Sequence, residues 1–188
     1  HELDVIVFAT GYDAMTGPLL NLNIETPKAS LKSYWEGGPR NYLGLAIPGF
    51  PNLFTITGPG SPSVLSNMPV SIEQHVDWIT ECIDHCIETE CSSIEAQEQS
   101  AEIWTDHVRE TADATLLPKV QHSWYLGANI PGKPRVFMPY AGGLNMYRKI
   151  CDNIAEEGYK GFNFNSEKAR DTSKPLDFIS SEGFVLGV

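Results

Sequence analysis

The sequence predicts an α/β fold, because two strand-like runs and three helical stretches occur along one chain. The strands are predicted at Leu3–Ala9 and Leu53–Thr57, since both runs are short, rich in β-branched residues and almost continuously apolar. This pattern is typical of strands that are covered on both faces. With 188 residues, the chain has room for one domain and at most a small second one.

The first predicted helix follows Asn67 and has the clearest signals. Asn67 is a favoured residue before a helix, and Pro69 fits the first turn, where a missing N–H leaves no bond unmade. Apolar side chains then recur at helical spacing and predict a core-facing stripe. These side chains are Ile72, Val76, Ile79, Ile83 and Cys86.

Two further helices and one further strand are predicted after the first helix. Ser92 and Glu95 have the spacing of a capping box, which predicts a helix start at Ser92. Gly143 precedes a helix that Gly158 ends, and Arg135–Met138 is expected to form a third strand. The apolar stripe of the helix predicted from Ser92 consists of Ala101, Trp104, Val108 and Ala112.

Composition excludes several classes of function. Hydrophobic residues make up 41% and charged residues 20%, which is normal for a globular protein. The net charge of −11 repels phosphate backbones, so nucleic-acid binding is disfavoured. The sequence contains no run of 18 apolar residues, so no membrane span is predicted, and no signal peptide is visible. The four cysteines are too few for a disulfide scaffold, so we expect reduced thiols and a cytoplasmic protein.

The loop from Gly58 to Asn67 leads into the first helix and is a candidate binding site. Helix N-termini carry unpaired N–H groups and partial positive charge, and they bind phosphates and carboxylates. The loop lacks the Gly-Lys-Ser/Thr ending of a P-loop and the G-x-S-x-G order of a serine hydrolase. From the residues alone, an ordinary connecting loop and an anion-binding loop both remain open.

Trp124 and a group of cysteines also allow two interpretations. Cys82, His85 and Cys86 lie in one predicted helix at a spacing that matches no structural zinc site, so packing is favoured over metal binding. Trp124 lies in a loop over residues 118–134, where it either packs in the core or covers a ligand. The chain has no G-x-G-x-x-G, so it contains no complete dinucleotide-binding unit by pattern.

Four groups of segments over residues 1–162 together resemble the Baeyer–Villiger monooxygenases, which are class B flavoprotein monooxygenases. The most specific are GPGSPSVLSNM and SWYLGANIPGKPR, which are similar to the phenylacetone, cyclododecanone and steroid monooxygenase branch. The segments are Asp4–Asp13 with an Ala-Thr-Gly turn, Gly58–Met68 followed by Ser71–His75, Ser123–Arg135, and Tyr140–Gly143 followed by Tyr147–Arg148 and Gly158–Phe162.

The resemblance implies an α/β fold that is the C-terminal portion of a flavoprotein with two dinucleotide-binding domains, incomplete on its own. Residues 1–12 would end a nucleotide-binding sheet or linker. Residues 13–162 would form the C-terminal part of the FAD-binding domain, with a helical segment and a control loop for NADP and substrate at 118–135. Residues 163–188 would form a tail. The sequence lacks the FAD fingerprint, the NADPH glycine motif and the family's catalytic arginine, so we assign no catalytic residue.

The resemblance also implies cofactors, partners and site residues. The family uses FAD, NADPH and O₂ to convert a small-molecule ketone to an ester or lactone, and here a separate or covalently linked N-terminal FAD/NADPH-binding portion would be needed. The backbone at Asn67 and Met68 would contact the electron-rich edge of the reduced flavin. Cofactor contacts are expected at Thr10, Gly11, Asp13, Asn67, Met68 and Trp124, and substrate contacts at Ser63, Val64, Leu65, Met138 and Pro139.

Two alternatives remain open beside a Baeyer–Villiger enzyme. One is a relative that oxygenates nitrogen or sulfur with the same cofactors. The other is a truncated globular module that keeps the fold, binds no flavin and has no catalytic activity. Flavin binding separates the second alternative from the enzymes, and product analysis with a cyclic ketone and a sulfide separates the first.

The missing nucleotide motifs lead to a prediction for the purified 188-residue chain. We expect it to show no ketone-dependent oxidation of NADPH when FAD is added, because nothing in its sequence provides a complete dinucleotide-binding unit. The loss of NADPH absorbance is measured with and without a cyclic ketone, and free FAD with NADPH serves as the control. Ketone-dependent turnover by this chain alone would contradict the prediction.

Overall fold

Three long helices and a two-stranded sheet surround the main hydrophobic core. The computed structural model describes residues 1–166. Short 3₁₀ turns lie at Ser63–Leu65, Leu117–Lys119 and Trp124–Leu126. In chain order, the helices and strands are α1 (Gly17–Leu20), α2 (Leu31–Tyr34), α3 (Met68–Glu88), β1 (Ser93–Ala96), α4 (Glu98–Asp113), α5 (Leu144–Glu156) and β2 (Phe162–Asn165).

Helix α3 confirms the predicted start, but the predicted core-facing stripe is largely wrong. Asn67 precedes the helix and Pro69 lies in its first turn, as expected. Ile72, Val76 and Ile83 are 39%, 41% and 40% exposed, while the opposite side of the helix is buried. That buried side carries the large aromatic groups, which bury more area than aliphatic side chains. It consists of Ser71, Gln74, His75, Trp78, Ile79, Cys82 and Cys86.

The helix predicted to begin at Ser92 begins instead at Glu98. Residues 93–96 form β1, which pairs antiparallel with β2 in a register that sets Ser93 opposite Asn165. The capping-box spacing is a local signal, whereas strand β1 depends on a partner far along the chain. The stripe predicted for α4 is confirmed, because Ala101, Trp104, Val108 and Ala112 are all buried.

None of the three predicted strands forms a ladder among residues 1–166. Leu3–Ala9 has no regular structure, and Val7 and Phe8 are 82% and 84% exposed. A strand covered on both faces needs neighbours that supply hydrogen bonds and apolar cover, and no described segment supplies them. Leu53–Thr57 contributes a single bridge to Ala46, and Arg135–Met138 is extended without strand pairing.

The predicted third helix and the predicted tail have different outcomes. Helix α5 follows Gly143, and its chain reverses at Gly158, which has φ of +72°, as expected for a residue that ends a helix. Strand β2 (Phe162–Asn165) extends across the predicted tail boundary at residue 163, because Phe162 and Phe164 pack against the hydrophobic core. The rest of the predicted tail, residues 167–188, lies outside the described residues.

The cysteines of α3 lie in the packed interior of the described chain. Cys82 and Cys86 are buried, and all four cysteines are free thiols. The His85 ring packs against Tyr159 at a tilt and against Phe164 edge-on, with centroids 5.1 Å apart in each pair. In residues 1–166, no helix has both the length and the apolar content that crossing a bilayer requires.

Tyr147 provides a test of the core. Its hydroxyl donates to the backbone oxygen of Leu43 at 2.7 Å, and both residues are fully buried. Tyr147→Phe leaves that oxygen without a partner, so we expect unfolding free energy to fall by about 1–3 kcal/mol. Chemical denaturation measures the change.

Tyr159→Phe is the matched control for this change. Tyr159 is buried in the same core, but residues 1–166 offer its hydroxyl no hydrogen-bond partner. We expect the control to change stability by less than about 0.5 kcal/mol. Equal effects of the two substitutions would contradict the role given to the Tyr147 hydroxyl.

Candidate functional site

The turn before α3 is held by hydrogen bonds from two other segments. Gly60 N–H donates to the backbone oxygen of Met138 at 2.6 Å, and the Trp104 indole N–H donates to the oxygen of Gly60 at 3.0 Å. Tyr140 N–H donates to the oxygen of Ser61 at 2.7 Å. We call the bonds that Gly60 makes with Met138 and Trp104 the Gly60 clamp. It fixes the turn against α4 and the extended chain of residues 136–140.

Close backbone approach requires glycine at Gly60 in this turn and at Gly44, which lies against the turn. Gly60 has φ of +85°, and a Cβ atom there would lie 3.2 Å from the indole nitrogen of Trp104. Gly44 has φ of +71°, and a Cβ atom there would lie 2.5 Å from the backbone nitrogen of Ser61. Neither backbone conformation suits a residue with a side chain, so both glycines are needed for the clamp to close.

The predicted substrate residues 63–65 form a 3₁₀ turn directly after the clamp. Ser63 is buried with φ of +36°, and its hydroxyl finds no partner within residues 1–166. Val64 is half-buried, and Leu65 packs with Leu126 and Phe137. The turn therefore lies against the chain that follows Trp124. This contact brings together the segments Gly58–Met68 and Ser123–Arg135, which carry the most specific sequence resemblance.

The N-terminus of α3 is open rather than covered. Asn67 is exposed and its side chain makes no capping hydrogen bond. The first backbone bond into the helix runs from Ser71 N–H to the oxygen of Asn67 at 3.1 Å. The N–H groups of Met68 and Val70 come before this bond and receive no side-chain cap. They carry the partial positive charge of the helix end and suit an electron-rich acceptor.

His75 holds the chain behind this helix end. Its Nδ1 accepts the backbone N–H of Thr57 at 3.0 Å, and Thr57 has φ of +54° where the chain enters the Gly58 turn. The ring packs edge-on against Tyr147 at 5.4 Å. Burial lowers the pKa of His75 to about 4, so the ring is neutral at pH 7 and keeps the acceptor that Thr57 needs.

The predicted control loop is tied to the turn after Thr10. Lys133 Nζ donates to Asp13 Oδ1 at 2.5 Å and to Thr16 Oγ1 at 2.6 Å. Asn129 Nδ2 donates to the oxygen of Tyr12 at 3.1 Å. Burial alone would raise the pKa of Asp13, but the bonds from Lys133 and Thr16 bring it below its usual value. The structure thus places Gly11 and Asp13 beside the 118–135 loop.

Trp124 lies at the surface of that loop. Its side chain is exposed, and its ring meets Tyr125 edge-on with centroids 4.6 Å apart. The Arg135 guanidinium donates to the backbone oxygens of Val120 at 2.6 Å and Gln121 at 2.7 Å, which fixes the chain before Trp124. The residue alone left core packing and ligand cover open, and its exposed position favours ligand cover over core packing.

The predicted site residues do not all border one cavity. A cavity of about 450 Å³ beside α4 is bordered by Met138 but not by Asn67, Met68 or Trp124. Pro139 is fully buried. No role could be assigned to His75 or Lys133 from the sequence, because the partner of each lies far along the chain. Thr57 is 18 residues from His75, and Asp13 is 120 residues from Lys133.

Comparison with known proteins decides the family, although no family model matches the chain. The chain is 38% identical over 177 residues to a cyclohexanone 1,2-monooxygenase from an Acinetobacter species. This match covers 94% of the chain and 32% of that relative. The chain is 42% identical to the acetone monooxygenase of Gordonia sp. strain TY-5 over 86% of the chain and 31% of that protein. A phenazine N-monooxygenase from Lysobacter antibioticus is 39% identical over 89% of the chain and 30% of its own length.

Solved structures agree with these sequences. The chain matches an oxidised steroid monooxygenase bound to NADP with a TM-score of 0.76 and 46% identity, over 84% of the chain and 29% of that protein. It matches the cyclohexanone monooxygenase of Rhodococcus sp. Phi1 bound to NADP⁺ with a TM-score of 0.84 and 38% identity, over 89% of the chain and 31% of that protein. The chain belongs to the Baeyer–Villiger monooxygenase family.

This family assignment confirms the resemblance seen in the sequence. The chain spans about a third of the length of the Baeyer–Villiger monooxygenases it matches, at 32% and 31% for the first two relatives. It is therefore an α/β flavoprotein segment by homology, and the long helices with the β1–β2 pair are its described part. The roles of individual site residues in this Baeyer–Villiger monooxygenase segment stay predictions.

His75 gives the site a testable pH dependence. Its pKa is lower in the folded chain than the ordinary 6.5, so the unfolded chain binds the proton first as pH falls. The stabilisation is complete above pH 6.5 and is lost progressively down to about pH 4. His75→Asn keeps an acceptor for Thr57 and does not titrate in this range.

We expect the stability of wild type to fall relative to that of His75→Asn as pH falls from 6.5 to 4, by up to about 1.4 kcal/mol per pH unit. Urea denaturation at several pH values measures the difference. Because both proteins share the same carboxylates, the comparison cancels the titration of Asp and Glu. A constant difference across this range would contradict a neutral, buried His75.

Proposed function

We propose that this chain is part of an FAD- and NADPH-dependent Baeyer–Villiger monooxygenase that converts ketones to esters or lactones with O₂. The open N-terminus of α3, held in place by the Gly60 clamp, is the observation that carries the proposal. In this arrangement the N–H groups of Met68 and Val70 contact the electron-rich edge of the flavin. The remaining FAD- and NADPH-binding portion comes from the rest of the protein or from a separate chain.

The residues of this chain position the cofactors and exclude water. FAD and NADPH, when bound, supply the reduction and the activation of O₂. The bonds from Asn129 to Tyr12 and from Lys133 to Asp13 hold the turn after Thr10 beside the 118–135 loop. Thr10, Gly11 and Asp13 would contact NADP there, and the Trp124 indole would cover the nicotinamide. Exclusion of water protects reactive intermediates in such sites, which suits the tie between the 118–135 loop and the Asp13 turn.

The ketone is proposed to lie against the apolar residues after the clamp. Val64 and Leu65 are half-buried and have no charge, and Met138 and Pro139, which are buried in this structure, are proposed as the opposite wall. Ser63 brings a buried hydroxyl without a partner in residues 1–166, and a ketone or cofactor oxygen would satisfy it. The cytoplasmic location stays a prediction, supported by the four free thiols.

Oxygenation of nitrogen is the second candidate function. The phenazine N-monooxygenase of Lysobacter antibioticus, at 39% identity, favours it, because that relative's name describes chemistry on a ring nitrogen rather than a ketone. Product analysis of the complete protein with a cyclic ketone and with phenazine distinguishes the two candidates. A lactone supports the first candidate and an N-oxide supports the second.

Removal of one backbone donor tests the proposed flavin contact. Met68→Pro removes the N–H at the first helical position and replaces the side chain, at a place where proline is well tolerated and Asn67 already has extended geometry. A lost hydrogen bond to the charged flavin edge, worth about 1.5–3 kcal/mol, should lower the two-electron midpoint potential of bound FAD by about 30–60 mV. A spectroelectrochemical titration of the complete protein measures this potential.

Met68→Leu is the matched control, since it changes the side chain and keeps the N–H. We expect the potential of this variant to stay close to that of wild type. The flavin contact is refuted if Met68→Pro and Met68→Leu have the same potential, or if the complete protein binds no FAD. The second result would favour the globular module without catalytic activity.

A further inference from the structure

A preformed cavity lies on the α4 side of the Gly60 clamp. Its volume is about 450 Å³, which is in the range of small-molecule sites. One wall is α4, the second is the turn at residues 37–41, and the third is the chain at residues 135–138. Pro59 and Gly60 also border it, so the cavity lies directly beside the turn that leads to α3.

The cavity concentrates positive charge in an acidic protein. Arg40, Arg109 and Arg135 border it, and they are three of the five arginines in a chain of net charge −11. Asp113 is the one carboxylate among the described residues that border it. Such a local excess of guanidinium groups attracts anions in spite of the overall charge.

The three guanidinium groups keep donors for a ligand. Arg40 pairs with Glu98 at 3.4 Å and Arg109 pairs with Asp106 at 2.9 Å, but the side chains in both pairs are at least 43% exposed. Exposed pairs of this kind contribute little to stability, so a ligand carboxylate competes with them easily. Arg135 donates to backbone oxygens and pairs with no carboxylate in residues 1–166.

Hydrogen bonds hold each wall of the cavity in place. The Trp35 indole N–H donates to the oxygen of Arg40 at 3.1 Å, and Trp104 holds Gly60 through the clamp. Gly38 has φ of +118°, and a Cβ atom there would lie 2.8 Å from Val136 Cγ2, so the 37–41 turn fits closely against the 135–138 chain. A cavity built this rigidly loses little entropy when it binds a ligand.

The lining divides into an apolar part and a charged part. Trp104, Val108, Leu126 and Phe137 give it apolar surface, and the arginines give it charge. Met138 borders the cavity and is also one of the residues proposed to contact the ketone. A ligand that fits both parts has an apolar body and an anionic group, and guanidinium groups bind carboxylates through two parallel hydrogen bonds.

We propose that this cavity binds the carboxylate of a keto acid, so that the substrate of the complete enzyme is an anionic ketone. This inference rests on the proposed function, since it assigns the substrate class of that reaction. The carboxylate lies between Arg40, Arg109 and Arg135, and the apolar body extends along Phe137 towards Met138.

Binding to the 188-residue chain in the absence of flavin tests this inference. The probe is a cyclohexanone that carries a ring carboxylate, and its uncharged methyl ester is the comparison compound. NMR signals of the arginine side-chain N–H groups and tryptophan fluorescence report binding. We expect the acid to bind at least about tenfold more tightly than the ester, and the difference to shrink at high salt.

Charge variants locate the binding site. Arg109→Gln should weaken binding of the acid about fivefold, because it removes one donor group. Asp113→Asn should tighten binding, because it removes the one carboxylate that repels the ligand. Arg148→Gln is the matched control, since Arg148 is exposed on α5 and does not border the cavity.

Three results would overturn the inference. The first is equal affinity for acid and ester. The second is an equal effect of Arg109→Gln and Arg148→Gln. The third is binding of inorganic phosphate as tight as that of the keto acid, which indicates a general anion site. Because no flavin is present, loss of the proposed flavin contact leaves these measurements unaffected, and the two failures remain distinguishable.

Discussion

The Gly60 clamp is the constraint on which the arrangement of this chain depends. Two hydrogen bonds, from Gly60 N–H to Met138 and from the Trp104 indole to Gly60, join the turn before α3 to α4 and to the 136–140 chain. The same turn borders the arginine-lined cavity and leads into the open N-terminus of α3. A shift of Gly60 would therefore disturb the helix end and the cavity together.

Electrostatics give the two sides of the clamp different chemistry. On one side, backbone N–H groups at Met68 and Val70 offer the partial positive charge of a helix end. On the other side, full charges on guanidinium groups border a rigid cavity. His75 stays neutral behind the helix end because burial lowers its pKa, so it adds no charge that would compete with the backbone donors. The helix end and the cavity are therefore local positive regions in a chain whose net charge is negative.

Features with local signals could be predicted from the sequence, and features with distant partners could not. The starts of α3 and α5 and the stripe of α4 depend on residues within a few turns of each other. Strand β1 depends on β2, and the bond between Lys133 and Asp13 joins residues 120 apart in sequence. The buried face of α3 could not be chosen from the sequence, because apolar residues repeat at helical spacing on both faces. The face with Trp78 is the one that packs into the core, because its aromatic side chains bury more area. The run Leu3–Ala9 has the apolar pattern of a strand that is covered on both faces. It is exposed here because residues 1–166 provide no neighbouring strands or helices that cover it.

A crystal structure of the complete protein with FAD and NADP⁺ tests the central claim most directly. The account predicts an acceptor atom of the flavin's pyrimidine ring within about 3 Å of the backbone nitrogen of Met68, with the Trp124 indole lying over the nicotinamide half of NADP⁺. A flavin ring bound away from the N-terminus of α3, with Met68 N–H bonded to water or to a capping side chain, would contradict it.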